Sequence, residues 1–292
     1  MIARRLARAV PLVAVAALFF PSASVQPTTV SLVRVENARS VDVGDGVIWV
    51  LVLGYDAERD TDAIQLIGID PERGSAAGIG IPRDSYVAIP GEDSPDRINT
   101  AWAKESPQVA AQTVQGLVGI APDYVLVVGF EGFLATAGVL GDVEVQSDQR
   151  FLSDEGMLVR RGTNTFDAAE ALEFAQSREN LIGNDFARSA NHQALLLGFL
   201  RGAREREDEE GFMERIGLAA LRGLDTDAAP TDLYRLAQAV TQVHPDRVTG
   251  CIVPGTPAER FGASVVLPDE EIAQRLGEDA REDATLEPGC TG

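Results

Sequence analysis

Residues 47–90 constrain this chain most, because they read as three buried strands with charged residues at their ends. Residues 47–53 form a continuous apolar run rather than an alternating one, the pattern of a strand covered on both faces. The run stops at Gly54-Tyr55-Asp56, and a charged turn follows through Arg59, Asp60 and Asp62. A second run, residues 63–69, ends at Asp70-Pro71, a turn signal. A third, residues 76–81, delivers Pro82-Arg83-Asp84 ahead of an extended piece, residues 85–89. Asp56, Asp62 and Arg83 are therefore expected at one rim of a sheet, where carboxylates beside a guanidinium suit a divalent cation plus phosphate. The competing reading of both aspartates is turn formation, which Asp favours through its own side-chain hydrogen bonds.

The rest of the chain alternates strands with helices. Pro107 starts a helix with Val109, Val114, Leu117 and Val118 on one side, and Gly119 ends it. Residues 124–128 read as another buried strand, residues 130–140 as a helix closed by Gly141, and Val143 as the start of a further strand. That order predicts an α/β fold, a central mixed sheet between helical layers. Residues 146–165 are polar and read as an irregular loop. Asp167 caps a helix over 168–177, and Asp185 opens a long one that carries Arg188 and His192 one turn apart on one face. Helices over 212–221 and 231–243 follow. Residues 247–253 and 264–267 are expected to close the fold as a strand pair, before a last helix over 268–276.

Four segments are expected. Arg4, Arg5 and Arg8 precede an apolar stretch, residues 9–20, and then small residues, so residues 1–25 read as an export signal or an uncleaved membrane anchor. Residues 26–43 read as a linker, 44–277 as a single domain and 278–292 as a flexible acidic tail. The domain is then expected outside the cytoplasmic membrane, anchored to it or secreted.

The formal charge of −20 argues against nucleic-acid binding, which needs a basic footprint. An acidic protein that handles an anion must gather its few cations in one place, and 24 of the 25 basic residues here are arginine, which suits bidentate phosphate contacts. Arg178 and Arg188 flank a Gly-Asn loop and point toward a helix start, where backbone amides favour anions. Each arginine reads equally as a surface ion pair when taken alone. With no nucleophile elbow and only His192 and His244, a histidine-based hydrolase fits poorly. Cys251 and Cys290 have no zinc-type spacing, which leaves one disulfide pinning the tail or two separate thiols.

Several short motifs occur in a telling order: Gly54-Tyr55-Asp56, Asp62, Ile81-Pro82-Arg83-Asp84, Arg97-Ile98-Asn99, VVGFEGF at 127–133, EALEFAQSR at 170–178 and DFARSANHQ at 185–193. This series resembles the LytR-CpsA-Psr phosphotransferases over roughly residues 47–200, with a looser echo over 253–269. The resemblance implies a membrane-anchored extracytoplasmic enzyme that transfers an anionic glycopolymer from a polyprenyl-pyrophosphate carrier to peptidoglycan, assisted by Mg2+ or Mn2+. It implies Asp56 and Asp62 as cation ligands. Arg83, Arg178 and Arg188 are implied at the pyrophosphate, with Arg97 and Gln193 in the substrate-binding set, and an apolar groove between sheet and helices for the lipid. A non-catalytic polyprenyl-phosphate-binding protein and a polyprenyl-pyrophosphate phosphatase are the alternatives. The chain departs from the family pattern at three places. Gln176 stands where the first arginine of an Arg-x-Arg pair is usual, Asp60 replaces a usual arginine with Arg59 one position early, and Asn191-His192-Gln193 replaces an Arg-Gln-Gln run.

Overall fold

The computed structural model describes residues 30–35, 46–55, 61–104, 106–206, 208–221 and 224–287. The chain opens with β1 (Val30–Arg34), β2 (Ile48–Tyr55), β3 (Thr61–Asp70) and β4 (Ser75–Gly80), followed by two short strands, β5 (Tyr86–Val87) and β6 (Asp96–Arg97). Helices α1 (Thr100–Lys104) and α2 (Pro107–Val118) lead to β7 (Tyr124–Gly129), α3 (Phe130–Leu140) and β8 (Val143–Ser147). Three short strands, β9 (Phe151–Leu152), β10 (Leu158–Val159) and β11 (Gly162–Phe166), precede α4 (Ala168–Gln176) and the long α5 (Asp185–Glu205). The chain closes with α6 (Phe212–Leu221), β12 (Leu224–Thr226), α7 (Pro230–Gln242), β13 (Val248–Ile252), β14 (Gly255–Arg260), β15 (Ala263–Pro268) and α8 (Glu270–Ala280).

Seven strands form the central sheet in the order β12-β1-β7-β2-β3-β4-β13. Parallel pairs (β1 with β12, β2 with β7, β4 with β13) are mixed with antiparallel ones, as the sequence predicts. Because side chains alternate along a strand, β2 sends Trp49, Leu51 and Leu53 to one face and Ile48 and Val50 to the other. The first face joins Leu66 and Ile79 under α2 and α8, and the second joins Ile69 and Ala76 near α7. A third cluster, centred on Phe174, holds α3, α4, α5 and α6 to β8–β11. Local signals set the helix ends. Ser106 caps α2, whose last turn closes at Gly119 with φ +80°, and Asp167 with Glu170 forms a reciprocal cap on α4.

Four expectations need correction. Residues 30–34, read as linker, form β1 inside the sheet, where β7 and β12 supply backbone partners from far along the chain and Val30 and Leu32 are buried. Residues 146–165 are not an irregular loop: β8 pairs with β11, and β9 with β10. The two late strands do not pair with each other, since β13 lies parallel to β4 and β15 pairs with β14. The acidic tail is packed at least to residue 287: Leu286 and Ala284 are buried, and Ser75 donates to the Asp283 carbonyl. Cys251 is disulfide-bonded, and the one other cysteine, Cys290, lies outside the described residues. So do residues 1–29; among the described residues no helix is long and apolar enough to cross a membrane.

Candidate functional site

Asp62 enters at the start of β3, next to the end of β2, and Arg83 follows β4 in the Pro82–Ser85 turn. Antiparallel pairing of β3 with β4 brings the two together, and the Arg83 guanidinium donates to Asp62 Oδ1. The turn is held firmly. Ile98 and Asn99 donate to the carbonyls of Ser85 and Arg83 at 2.8 and 3.1 Å, and Val266 on β15 donates to the Asp84 carbonyl at 2.8 Å. Arg97 on β6 then lies 3.6 Å from the Asp84 carboxylate, while Arg83 Nε lies 3.5 Å from it.

The first turn of α5 closes the cluster from above. Side chains on a helix lean toward its N-terminus, so Arg188 reaches back to Asp185 at 2.7 Å and to Asp62 at 3.3 Å. Only 4% of the Arg188 side chain is exposed, which makes this a guanidinium committed to the site rather than to water. Burial, with the charges of Arg83 and Arg178, holds its pKa below the ordinary arginine value against the pull of Asp185 and Asp62. Arg178 itself is exposed, and the Asp154 carboxylate accepts from its backbone N–H and from that of Glu179.

Asp185 lies close enough to Asp84 for its charge to act on it. Burial, then the neighbouring Asp185 charge, pushes Asp84 above the usual carboxylate range, while Arg83 and Arg97 pull it back. Four guanidiniums thus face three carboxylates in a chain of net charge −20. The arrangement suits an anion with several oxygens, such as a pyrophosphate.

Behind this polar head, α5 and strands β3, β4 and β13 bound a groove of about 850 Å3. Ile67, Ile69, Phe186, Ala190, Leu197 and Val248 are among its apolar walls. Ala187, the residue before Arg188, lines the groove, so the helix that carries Arg188 of the head also walls the groove.

The structure thus gathers Asp62, Arg83, Arg97 and Arg188, with Arg178 close enough to depress Arg188. Asp56 lies outside the described residues. Gln193 does not join the cluster but lines the groove. Its amide nitrogen donates to the carbonyls of Gly78 and Cys251 at 3.0 and 2.9 Å, because five residues of helix rotate it away from Arg188 and onto the sheet. His192 is buried against α4, with Nε2 on the Ala175 carbonyl at 2.9 Å, and is not part of the groove lining. Asp84 and Asp185 were missed, although each sits within three residues of a predicted arginine. Among the described residues no group of three His, Cys, Asp or Glu side chains could hold a metal ion by itself. Asp62 remains a fitting single ligand: its side chain is 25% exposed and the arginines engage one carboxylate oxygen, Oδ1. Mg2+ commonly takes one or two carboxylates and completes its shell with phosphate oxygens and water.

Curated relatives include TagU of Bacillus anthracis, a polyisoprenyl-teichoic acid–peptidoglycan teichoic acid transferase, 28% identical over 158 residues, 53% of this chain and 52% of the relative. TagU of Bacillus subtilis is 29% identical over 156 residues, 52% of this chain and 50% of the relative. The chain therefore spans about half the length of the curated relatives it matches. Among solved structures, TagT bound to LI-WTA superposes with a TM-score of 0.67 at 22% identity, covering 84% of this chain and 93% of that one. YwtF (TagT) with bound octaprenyl pyrophosphate lipid gives a TM-score of 0.63 at 21% identity over the same shares. At these identities the likeness establishes the fold. The LytR_cpsA_psr family model matches residues 22–282, and the chain belongs to the LytR-CpsA-Psr family.

Proposed function

We propose that this protein transfers an anionic glycopolymer from a polyprenyl-pyrophosphate carrier to peptidoglycan, acting at the outer face of the cytoplasmic membrane. The observation that carries the reading is an arginine-rich polar head and an apolar groove of about 850 Å3 that share helix α5. A ligand that fills both must join a multiply charged anion to a long hydrocarbon. Family membership, the transferase names of the TagU relatives and the octaprenyl pyrophosphate in the YwtF (TagT) structure support the same class.

Phosphoryl transfer asks for position and charge neutralisation more than for covalent help from the protein. Arg83, Arg178 and Arg188 would take the pyrophosphate oxygens, with Arg97 at the edge; Gln176, which replaces a usual arginine, is exposed. Arg83 and Arg188 both donate to Asp62 Oδ1. Their turn toward an arriving anion would release that oxygen. Asp62, with Asp56 as its partner, would hold Mg2+ or Mn2+, which supplies charge neutralisation at the phosphate oxygens. Attack by a sugar hydroxyl on the polymer-side phosphorus then releases the polyprenyl phosphate, whose tail the groove retains.

The test is a reconstituted reaction of the full chain with lipid-linked polymer, peptidoglycan and Mg2+. Polymer should become wall-linked as polyprenyl phosphate appears, chelator should stop both, and Asp62→Ala should resemble chelation. Polyprenyl phosphate release without polymer on the wall would show hydrolysis instead and refute the transferase reading.

A further inference from the structure

The groove has a lip whose outer surface is apolar. In the β9–β10 ribbon, Phe151 and Val159 pair and point into the core, whereas Leu152 and Leu158 pair directly on the opposite side and are 52% and 44% exposed. Single exposed leucines are ordinary, but these two face each other across strands and make an apolar patch at the root of a turn that carries exposed Asp154 and Glu155. By the same alternation Arg150 and Arg160 flank that patch, both exposed, and neither has an ion-pair partner among the described residues. The ribbon is locked to the groove. Asn180 donates to the Leu152 carbonyl at 3.0 Å, and the Gln149 side chain bonds both the N–H and the carbonyl of Ile182. Gln149 and Ile182 line the groove mouth, and Ile182 is 84% exposed. On the opposite wall, β14 leaves from the groove-lining Pro254 and Gly255, and its hairpin ends in Phe261, 97% exposed.

We infer that this lip docks on a phospholipid bilayer, with the leucines and Ile182 at the acyl boundary and Arg150 and Arg160 on the lipid phosphates. An apolar patch flanked by arginines matches that interface, where a guanidinium reaches the headgroups while its stem stays among the chains. The rest of the acidic surface would be repelled by an anionic leaflet, so the contact also orients the molecule. Its consequence is that the groove opens into the bilayer and a lipid tail enters sideways, without crossing water. The inference borrows its geometry from the lipid-groove reading, and its test needs no polyprenyl lipid, so the two fail separately.

An environment-sensitive fluorophore is placed on Leu152→Cys and, for comparison, on Glu271→Cys, which is 84% exposed on α8 over the other face of the sheet. Unsubstituted chain carried through the labelling sets the background. The full chain is mixed with vesicles of phosphatidylcholine and phosphatidylglycerol carrying doxyl-labelled lipid. The probe at 152 should shift to the blue and lose emission to the quencher, the probe at 271 should do neither, and R150Q/R160Q should reverse the change at 152. Equal behaviour at both positions would overturn the proposal. So would a blue shift without vesicles that grows with protein concentration, which would show a second copy of the chain covering the leucines.

Discussion

The two faces of the central sheet are built from the same strands and end up in opposite states. Under α2 and α8, Leu51, Leu66 and Ile79 are fully buried, and the helices approach so closely that a Cβ on Gly277 would lie 1.9 Å from the Val118 carbonyl oxygen. Under α5, Ile67, Ile69 and Gly78 of the neighbouring register positions line the open groove. Both faces carry apolar side chains, so hydrophobicity alone does not decide which one fills. The difference lies in what covers each face. The closed side receives two helices seated by glycine and alanine contacts, whereas on the open side α5 presents the small residues Ala187, Ala190 and Ala194 to a groove that α7 also borders.

That contrast is most strongly tested at Gly277. Gly277→Val forces backbone apart on the closed face and is expected to destabilise the domain by about 3 kcal/mol or more, read as a lower urea midpoint. A near-neutral result would mean that the closed face is as yielding as the groove.

Arg83→Ala probes the head of the open face. Loss of one charged contact to pyrophosphate should weaken octaprenyl pyrophosphate binding by about 1.5–3 kcal/mol in calorimetry, with the Asp62–Arg188 contact still holding β3 to α5. Unchanged affinity would remove Arg83 from the site.

Filling the groove separates its two roles. Ala190→Phe adds volume where there is room, so stability should stay within about 1 kcal/mol while lipid binding weakens at least about tenfold, or 1.4 kcal/mol. A loss of stability comparable to that of Gly277→Val would show that the groove is closed in solution.

The sequence displayed the closed and open faces equally, which explains what was legible and what was not. The strands at 48–55, 61–70 and 75–80 and the capped helices were readable because apolar runs, Pro107, Asp167 and Gly119 act locally. β1 was not, because a five-residue strand takes its partners from residues 124–128 and 224–226, far along the chain. Arg83 and Arg188 were found as motif members, whereas the Asp84–Asp185 pair exists only after a separation of about a hundred residues is folded together. Gln193 sits apart from the arginines for a related reason. Its neighbour in sequence is the site, but its neighbours in space are Gly78 and Cys251.

The smallest effect concerns the third side of α5, the one pressed on α4. His192 is 8% exposed, its Nε2 meets the Ala175 carbonyl, and Nδ1 has no partner. Burial first, then the Arg188 charge, lowers its pKa to about 4, so the folded protein keeps it neutral. In the unfolded chain it protonates near pH 6.5, and the unfolded state therefore binds more protons below that pH. Stability should be at its full value above pH 6.5 and fall as the pH drops toward 4, by about 1 kcal/mol between pH 7 and 5.5. His192→Gln keeps a donor for the carbonyl and removes the titration, so its stability should lack that slope between pH 7 and 5.5. If the unsubstituted protein and His192→Gln lose stability in parallel, water reaches His192. α5 would then be wetted on its α4 side as well as at the groove, and the contrast between a sealed and an open flank of this helix would not hold.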